Sequence, residues 1–169
     1  MPESREHTEE GPEPRGEAGE GAQAAQGDAA EAPAAAAPEE LDERVRLALH
    51  AAGEKKAQDL ILLDLREVAS FTDFFAIASG TNVRQVQAVA DAVQEQLRGK
   101  LGVKPARVEG YNSAEWVLLD YGDFIFHVFE EKSRRFYDLE RLWRDAARVP
   151  LPRELAGEPG GGGESRDER

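Results

Sequence analysis

The stretch WVLLDYGDFIFHVF, residues 116–129, concentrates more aromatic and branched apolar residues than any other part of the chain. It reads as two strands joined by the tight turn Asp120-Tyr121-Gly122-Asp123. The glycine supplies the positive φ such a turn needs, and aspartate suits the flanking positions. Strand alternation sends Trp116, Leu118 and Asp120 to one face and Val117, Leu119 and Tyr121 to the other. On the second strand it sets Phe124, Phe126 and Val128 against Ile125, His127 and Phe129. Both faces of that second strand are largely apolar, which requires an interior strand covered on both sides. Trp116 and Tyr121 are large, rigid and amphipathic, the residue types that form binding hot spots.

The remaining elements follow from periodicity. Leu41, Val45, Ala48, Leu49 and Ala52 recur at helical spacing up to Gly53. LILLDL (60–65) and FFAIAS (74–79) are short apolar runs typical of buried strands. Thr81 or Asn82 caps a helix over 83–98, with Gly99 and Gly102 marking its end and the following loop. Residues 105–109 form a short strand ended by Gly110, and after the hairpin a last helix carries Leu139, Leu142, Trp143 and Ala146, with Phe136 and Trp143 as its core anchors. The resulting order, α-β-β-α-β-β-β-α, predicts a mixed α/β (α+β) fold with a five-stranded mixed sheet flanked by helices. The strand 74–79, the helix 83–98 and the strand 105–109 are expected to form a right-handed β-α-β unit with a parallel pair.

Charge separates the chain into three parts. Residues 1–40 are rich in Ala, Glu, Gly and Pro and carry −9 of the net charge of −13; residues 157–169 carry −2, leaving −2 on residues 41–156. The two tails lack the apolar area needed to offset ordering entropy and read as disordered, with one folded domain over 41–156 between them. A near-neutral domain has no general electrostatic footprint for nucleic acid, which favours a grip on protein. The absence of cysteine excludes disulfides, thiolate metal sites and a cysteine nucleophile. No apolar run reaches the roughly 18–20 residues of a membrane span, so a cytoplasmic protein is expected.

The candidate catalytic groups are isolated. Ser79-Gly80-Thr81-Asn82 joins a strand to a helix start where a phosphate can bind, but the full glycine patterns of nucleotide-binding loops are missing, and a plain capped turn is the simpler reading. This entry also resembles that of nucleotidyltransferase domains, which need closely spaced carboxylates for two metal ions; Asp64 is alone on its strand, and Asp120 and Asp123 flank a turn. Ser79, His127 and Asp120 can be written as a triad, yet no spacing demands it, and a single histidine between Phe126 and Val128 reads as structural. The three histidines are scattered, so no metal site and no cofactor are expected. Arg134, Arg135, Arg141 and Arg144 lie among acidic residues and read as a salt-bridged face, with a minor RNA contact as the alternative. Glu109 reads equally as a solvated strand end or as a carboxylate meeting a basic partner surface.

Three segments together resemble a known family. DLILLDLREVASFTDFFAIASGTNVRQVQAVAD, VEGYNSAEWVLLDYGDFIFHVF and SRRFYDLERLW are similar to the ribosomal silencing factors, RsfS or Iojap-like, from about Lys55 to Ala146. The resemblance implies a nucleotidyltransferase-like topology without transferase activity, and a protein that binds the large ribosomal subunit through its protein L-fourteen. Bound there, it obstructs the small subunit and represses translation when nutrients are scarce; away from the ribosome it is a homodimer. The expected partner-binding residues are Glu109, Trp116, Leu118, Asp120, Tyr121 and Asp123, with Trp116 as anchor. The competing classes are a nucleotidyltransferase-like enzyme and a large-subunit assembly factor.

Overall fold

Asp42 accepts a hydrogen bond from the Arg44 backbone and so starts the first helix, in a computed structural model that describes residues 41–155. The expected disordered tails lie outside the described residues, as does the final residue of the expected 41–156 domain. The elements in chain order are α1 (Glu43–Glu54), β1 (Gln58–Asp64), β2 (Phe74–Gly80), α2 (Val83–Leu101), β3 (Arg107–Glu109), β4 (Trp116–Asp120) and β5 (Phe124–Glu130). They are followed by α3 (Glu131–Tyr137), α4 (Leu139–Leu142), β6 (Ala147–Arg148) and a 3-10 turn (Arg153–Leu155). The strands form a single mixed sheet in the order β3-β4-β5-β2-β1-β6. Among the described residues no helix is long and apolar enough to cross a membrane.

The mixed fold agrees with the sequence reading, and three details differ. The sheet has six strands, because Ala147 and Arg148 pair with Asp64 and Leu63 at the edge beyond β1. The parallel partner of β2 is β5, with Phe74 opposite Phe124 and Ser79 opposite Phe129, while β3 lies at the far edge beyond β4. The crossover through α2 therefore skips two positions, which the β4–β5 hairpin fills. The hairpin has the apolar residues for an interior place, whereas all three residues of β3 are exposed and suit only an edge. The last helix is broken at Asp138, which adopts the left-handed conformation (φ 49°), and this splits α3 from α4.

Alternation divides the core into two layers. Phe124, Phe126, Val128, Val117 and Leu119 meet α1 and α2 on one face, where Val45, Leu49, Val86, Val89 and Val93 are fully or almost fully buried. Fully burying such side chains is worth about 1.5–3 kcal/mol each. The opposite face carries Leu63, Phe75, Ile77, Ile125 and Phe129 and is covered only in part, by Leu139, Trp143 and Ala146. Phe136, expected as an anchor of that cover, and Leu142, expected on the apolar side of the last helix, are instead 79% and 71% exposed. The break at Asp138 turns both away from the sheet. Beyond this cover, the β4 and β3 part of the second face is left open.

Candidate functional site

The open part of the second face is built by three strands in register. Glu109 lies opposite Leu118, Arg107 opposite Asp120, Leu118 opposite His127, and Trp116 opposite Phe129. Since paired residues share a face, Arg107, Glu109, Trp116, Leu118 and Asp120 form one patch. Its centre is apolar: Leu118 and Trp116 are half-buried, and the Trp116 ring stacks on Phe129 at 4.9 Å and tilts against Tyr137 of α3 at 4.8 Å. Its rim is ionic. Arg107 lies 3.1 Å from the Glu109 carboxylate and 3.3 Å from that of Asp120. Exposed ion pairs of this kind add only about 0–1 kcal/mol to stability. An apolar centre with a polar rim is the arrangement of a protein–protein contact.

Two backbone features bring Glu109 next to Trp116. Gly110 holds a φ of +77°, and a Cβ there would overlap the Trp116 carbonyl oxygen. Ala114, buried and left-handed at φ 55°, completes the bend, and its N–H donates to the Gly110 carbonyl at 2.9 Å. The chain thereby reverses tightly enough for β3 and β4 to pair.

Beneath the tryptophan lies His127, 3% exposed. The Trp116 Nε1–H donates to His127 Nδ1 at 3.0 Å. An indole N–H can only donate, so Nδ1 is unprotonated and the ring's one proton sits on Nε2. Burial holds the imidazole neutral, with its pKa lowered to about 3. Nε2 has no hydrogen-bond partner among the described residues. An unsatisfied buried donor costs about 1–3 kcal/mol.

The remaining expected contact residues are placed elsewhere. Tyr121 is 7% exposed and lies on the helix-covered face, stacked on Phe124 at 4.9 Å, and burial pushes its hydroxyl up to about 12. It is five positions along from Trp116, and the period of two sends it to the opposite side. Asp123 is exposed at the turn but pairs with Arg44 of α1 at 2.7 Å, on the helix side of the sheet. The structure thus brings together Glu109, Trp116, Leu118 and Asp120, and separates Tyr121 and Asp123 from them. Arg107, His127 and Tyr137 complete the site and were missed in the sequence. Arg107 was legible as a charge two residues from Glu109 on the same strand face; Tyr137 had no such signal.

The groups considered for catalysis are occupied by other contacts. Ser79 Oγ accepts from Arg134 at 2.8 Å, and Arg134 donates twice to Glu140, at 3.1 and 2.7 Å. His127 faces Trp116 and Phe75 and has neither Ser79 nor Asp120 as a hydrogen-bond partner. Asp64, almost wholly buried, is held by Arg66 at 2.7 Å. At the start of α2, Asn82 accepts from Gln85 N–H, and Thr81 N–H donates to the Gln85 side chain at 2.8 Å, so this turn is an ordinary cap. No group of three or more His, Cys, Asp or Glu among the described residues is arranged to hold a metal ion. The arginine cluster differs from the expected salt-bridged face. Arg134 is buried and paired, whereas Arg135, Arg141 and Arg144 make no ion pair among the described residues and line a shallow depression with Phe136 and Leu142.

Residues 38–168 match the family model described as "Ribosomal silencing factor during starvation", RsfS. A ribosomal silencing factor of Halalkalibacterium halodurans is 39% identical over 109 residues, which is 64% of this chain and 92% of the relative. That of Bacillus subtilis is 37% identical over 107 residues, 63% of this chain and 90% of the relative. A crystal structure of a Chromobacterium violaceum protein superposes with a TM-score of 0.59 at 37% identity, covering 65% of this chain and 88% of that one.

Proposed function

This chain belongs to the RsfS family of ribosomal silencing factors, whose role is tied to the ribosome, and from that membership we propose that it binds the large ribosomal subunit through ribosomal protein L-fourteen. The bound domain occupies space at the intersubunit face, and its clash with the small subunit prevents joining and represses translation. No bond is made or broken, so the work is done by complementarity of surface. In this reading the protein acts in the cytoplasm and forms a homodimer when off the ribosome.

The observation that carries the reading is the patch of Trp116, Leu118, Glu109 and Asp120. A half-buried indole stacks on Phe129, leans against Tyr137 and shares its sheet face with a rim of ionic groups. That is the composition of a binding hot spot with its polar surround. Tyr121 and Asp123 are left out of the contact, because one is buried under the helices and the other is engaged by Arg44. Arg135 and Arg141, free of ion pairs among the described residues, supply the minor contact with ribosomal RNA.

Sedimentation of mixed subunits with and without the protein tests this. The expected result is migration with the large subunit and depletion of joined ribosomes. Trp116→Ala should then weaken binding by about 2 kcal/mol, roughly 30-fold. A protein that stays at the top of the gradient while subunits join normally would remove the silencing reading. A folded Trp116→Ala variant that binds as tightly as the parent would remove the patch from it.

A further inference from the structure

The histidine beneath the binding patch has no evident structural advantage. Its neighbours are Phe75, Trp116 and Phe129, with ring centroids at 4.4, 5.9 and 6.3 Å. Leucine would fill this space without needing any hydrogen-bond partner. Histidine instead leaves the buried Nε2–H without a partner among the described residues, where its one side-chain hydrogen bond is that from Trp116. A group that costs stability and serves one neighbour is characteristic of functional sites.

We infer that His127 is a positioning residue: its Nδ1 fixes the indole plane of Trp116, so that the edge and face offered to the partner are set before binding. The reason lies in what the indole does without an acceptor. Its N–H would be desolvated and unpaired against the sheet, and the ring would turn outward to reach water. That rotation separates it from Phe129 and Tyr137 and adds an ordering cost to binding. Leu118, directly opposite His127 on β4, lies on the same face two residues from Trp116. The inference rests on the proposed binding role of Trp116, and it deepens that role by assigning the buried residue behind the contact.

The test compares His127→Leu with His127→Asn. Asparagine carries Oδ1 on Cγ, as histidine carries Nδ1, and so restores an acceptor for the indole; leucine removes it. Binding to purified large subunits should fall about tenfold or more for His127→Leu while its melting temperature holds or rises, and His127→Asn should stay within about threefold of the parent. A second readout is the exchange rate of the indole N–H by NMR in a Trp143→Phe background, which leaves Trp116 as the one remaining tryptophan. Exchange should be slow in the parent and His127→Asn and fast in His127→Leu. Parent-like binding by folded His127→Leu would overturn the inference, as would equal exchange in all three proteins. If His127→Leu does not fold, His127→Asn decides: slow exchange with retained binding supports positioning, and loss of either in a folded protein overturns it. Failure of the parent itself to bind large subunits would refute the proposed function, while the exchange comparison would still decide whether His127 holds the ring.

Discussion

Replacing Gly110 with alanine should damage this fold far more than one methyl group suggests. Two costs add at that position. At φ +77° an L-residue takes a left-handed conformation, at about 1–2 kcal/mol. The new Cβ would also overlap the Trp116 carbonyl oxygen and lie 3.2 Å from its carbonyl carbon. Both obstructing atoms are backbone, fixed by the β4–β5 ladder, so they cannot rotate away as a flexible side chain would. Although Gly110 is exposed, forcing an extra carbon against that backbone costs, like overpacking, about 1–3 kcal/mol more. The sum is roughly 2–5 kcal/mol, a large part of the 5–15 kcal/mol that stabilises an ordinary domain. For a domain of this size that lowers the melting temperature by roughly 10–20 °C. Gly102→Ala provides the control, because Gly102 is also left-handed at φ +66° but faces open space. It should lose only the conformational part, about 1 kcal/mol and a few degrees. Calorimetry on the two variants separates the terms. Equal shifts at both positions would refute the argument that close approach to Trp116 makes Gly110 necessary.

Two further perturbations probe the buried polar groups. His127 has a folded pKa of about 3 against an unfolded value near 6.5, so the unfolded chain takes up this proton first. Its contribution is complete above pH 6.5 and is lost as pH falls towards 3. The parent should therefore lose roughly 3 kcal/mol more than His127→Leu between pH 7 and pH 4 in urea titrations, and parallel stability profiles would contradict this. Arg134→Met strips Ser79 and Glu140 of their shared donor, and with Glu140 still partly solvated the loss should be about 2–4 kcal/mol by the same assay. A change within about 0.5 kcal/mol would show that the clamp on α3 and α4 has no energetic role.

Much of the fold was legible in the chain, because local periodicity determines which side of an element is apolar. The period of two over residues 116–129 placed Trp116 and Leu118 opposite Val117, Leu119 and Tyr121, and it marked β5 as an interior strand; the two core layers divide along those lines. The helical period over Val83, Val86, Val89, Ala90, Val93 and Leu97 likewise predicted the buried face of α2, apart from Val83, which lies exposed at the first turn. What the local pattern did not contain was which strands become neighbours. β2 and β3 flank a helix and look like a parallel pair, yet β5 takes the place beside β2. Burying Phe124 to Phe129 on both faces gains far more than burying three exposed residues at Arg107 to Glu109. The site shows the same division. Glu109, Trp116, Leu118 and Asp120 could be read as strand residues of one parity, but the support of Trp116 by His127 and Tyr137 comes from cross-strand register and from the break at Asp138. Sequence alone determined the faces, because the parity of a side chain is a local property of the backbone. Only the tertiary structure decided the neighbours, because pairing depends on competition among all the strands for buried area.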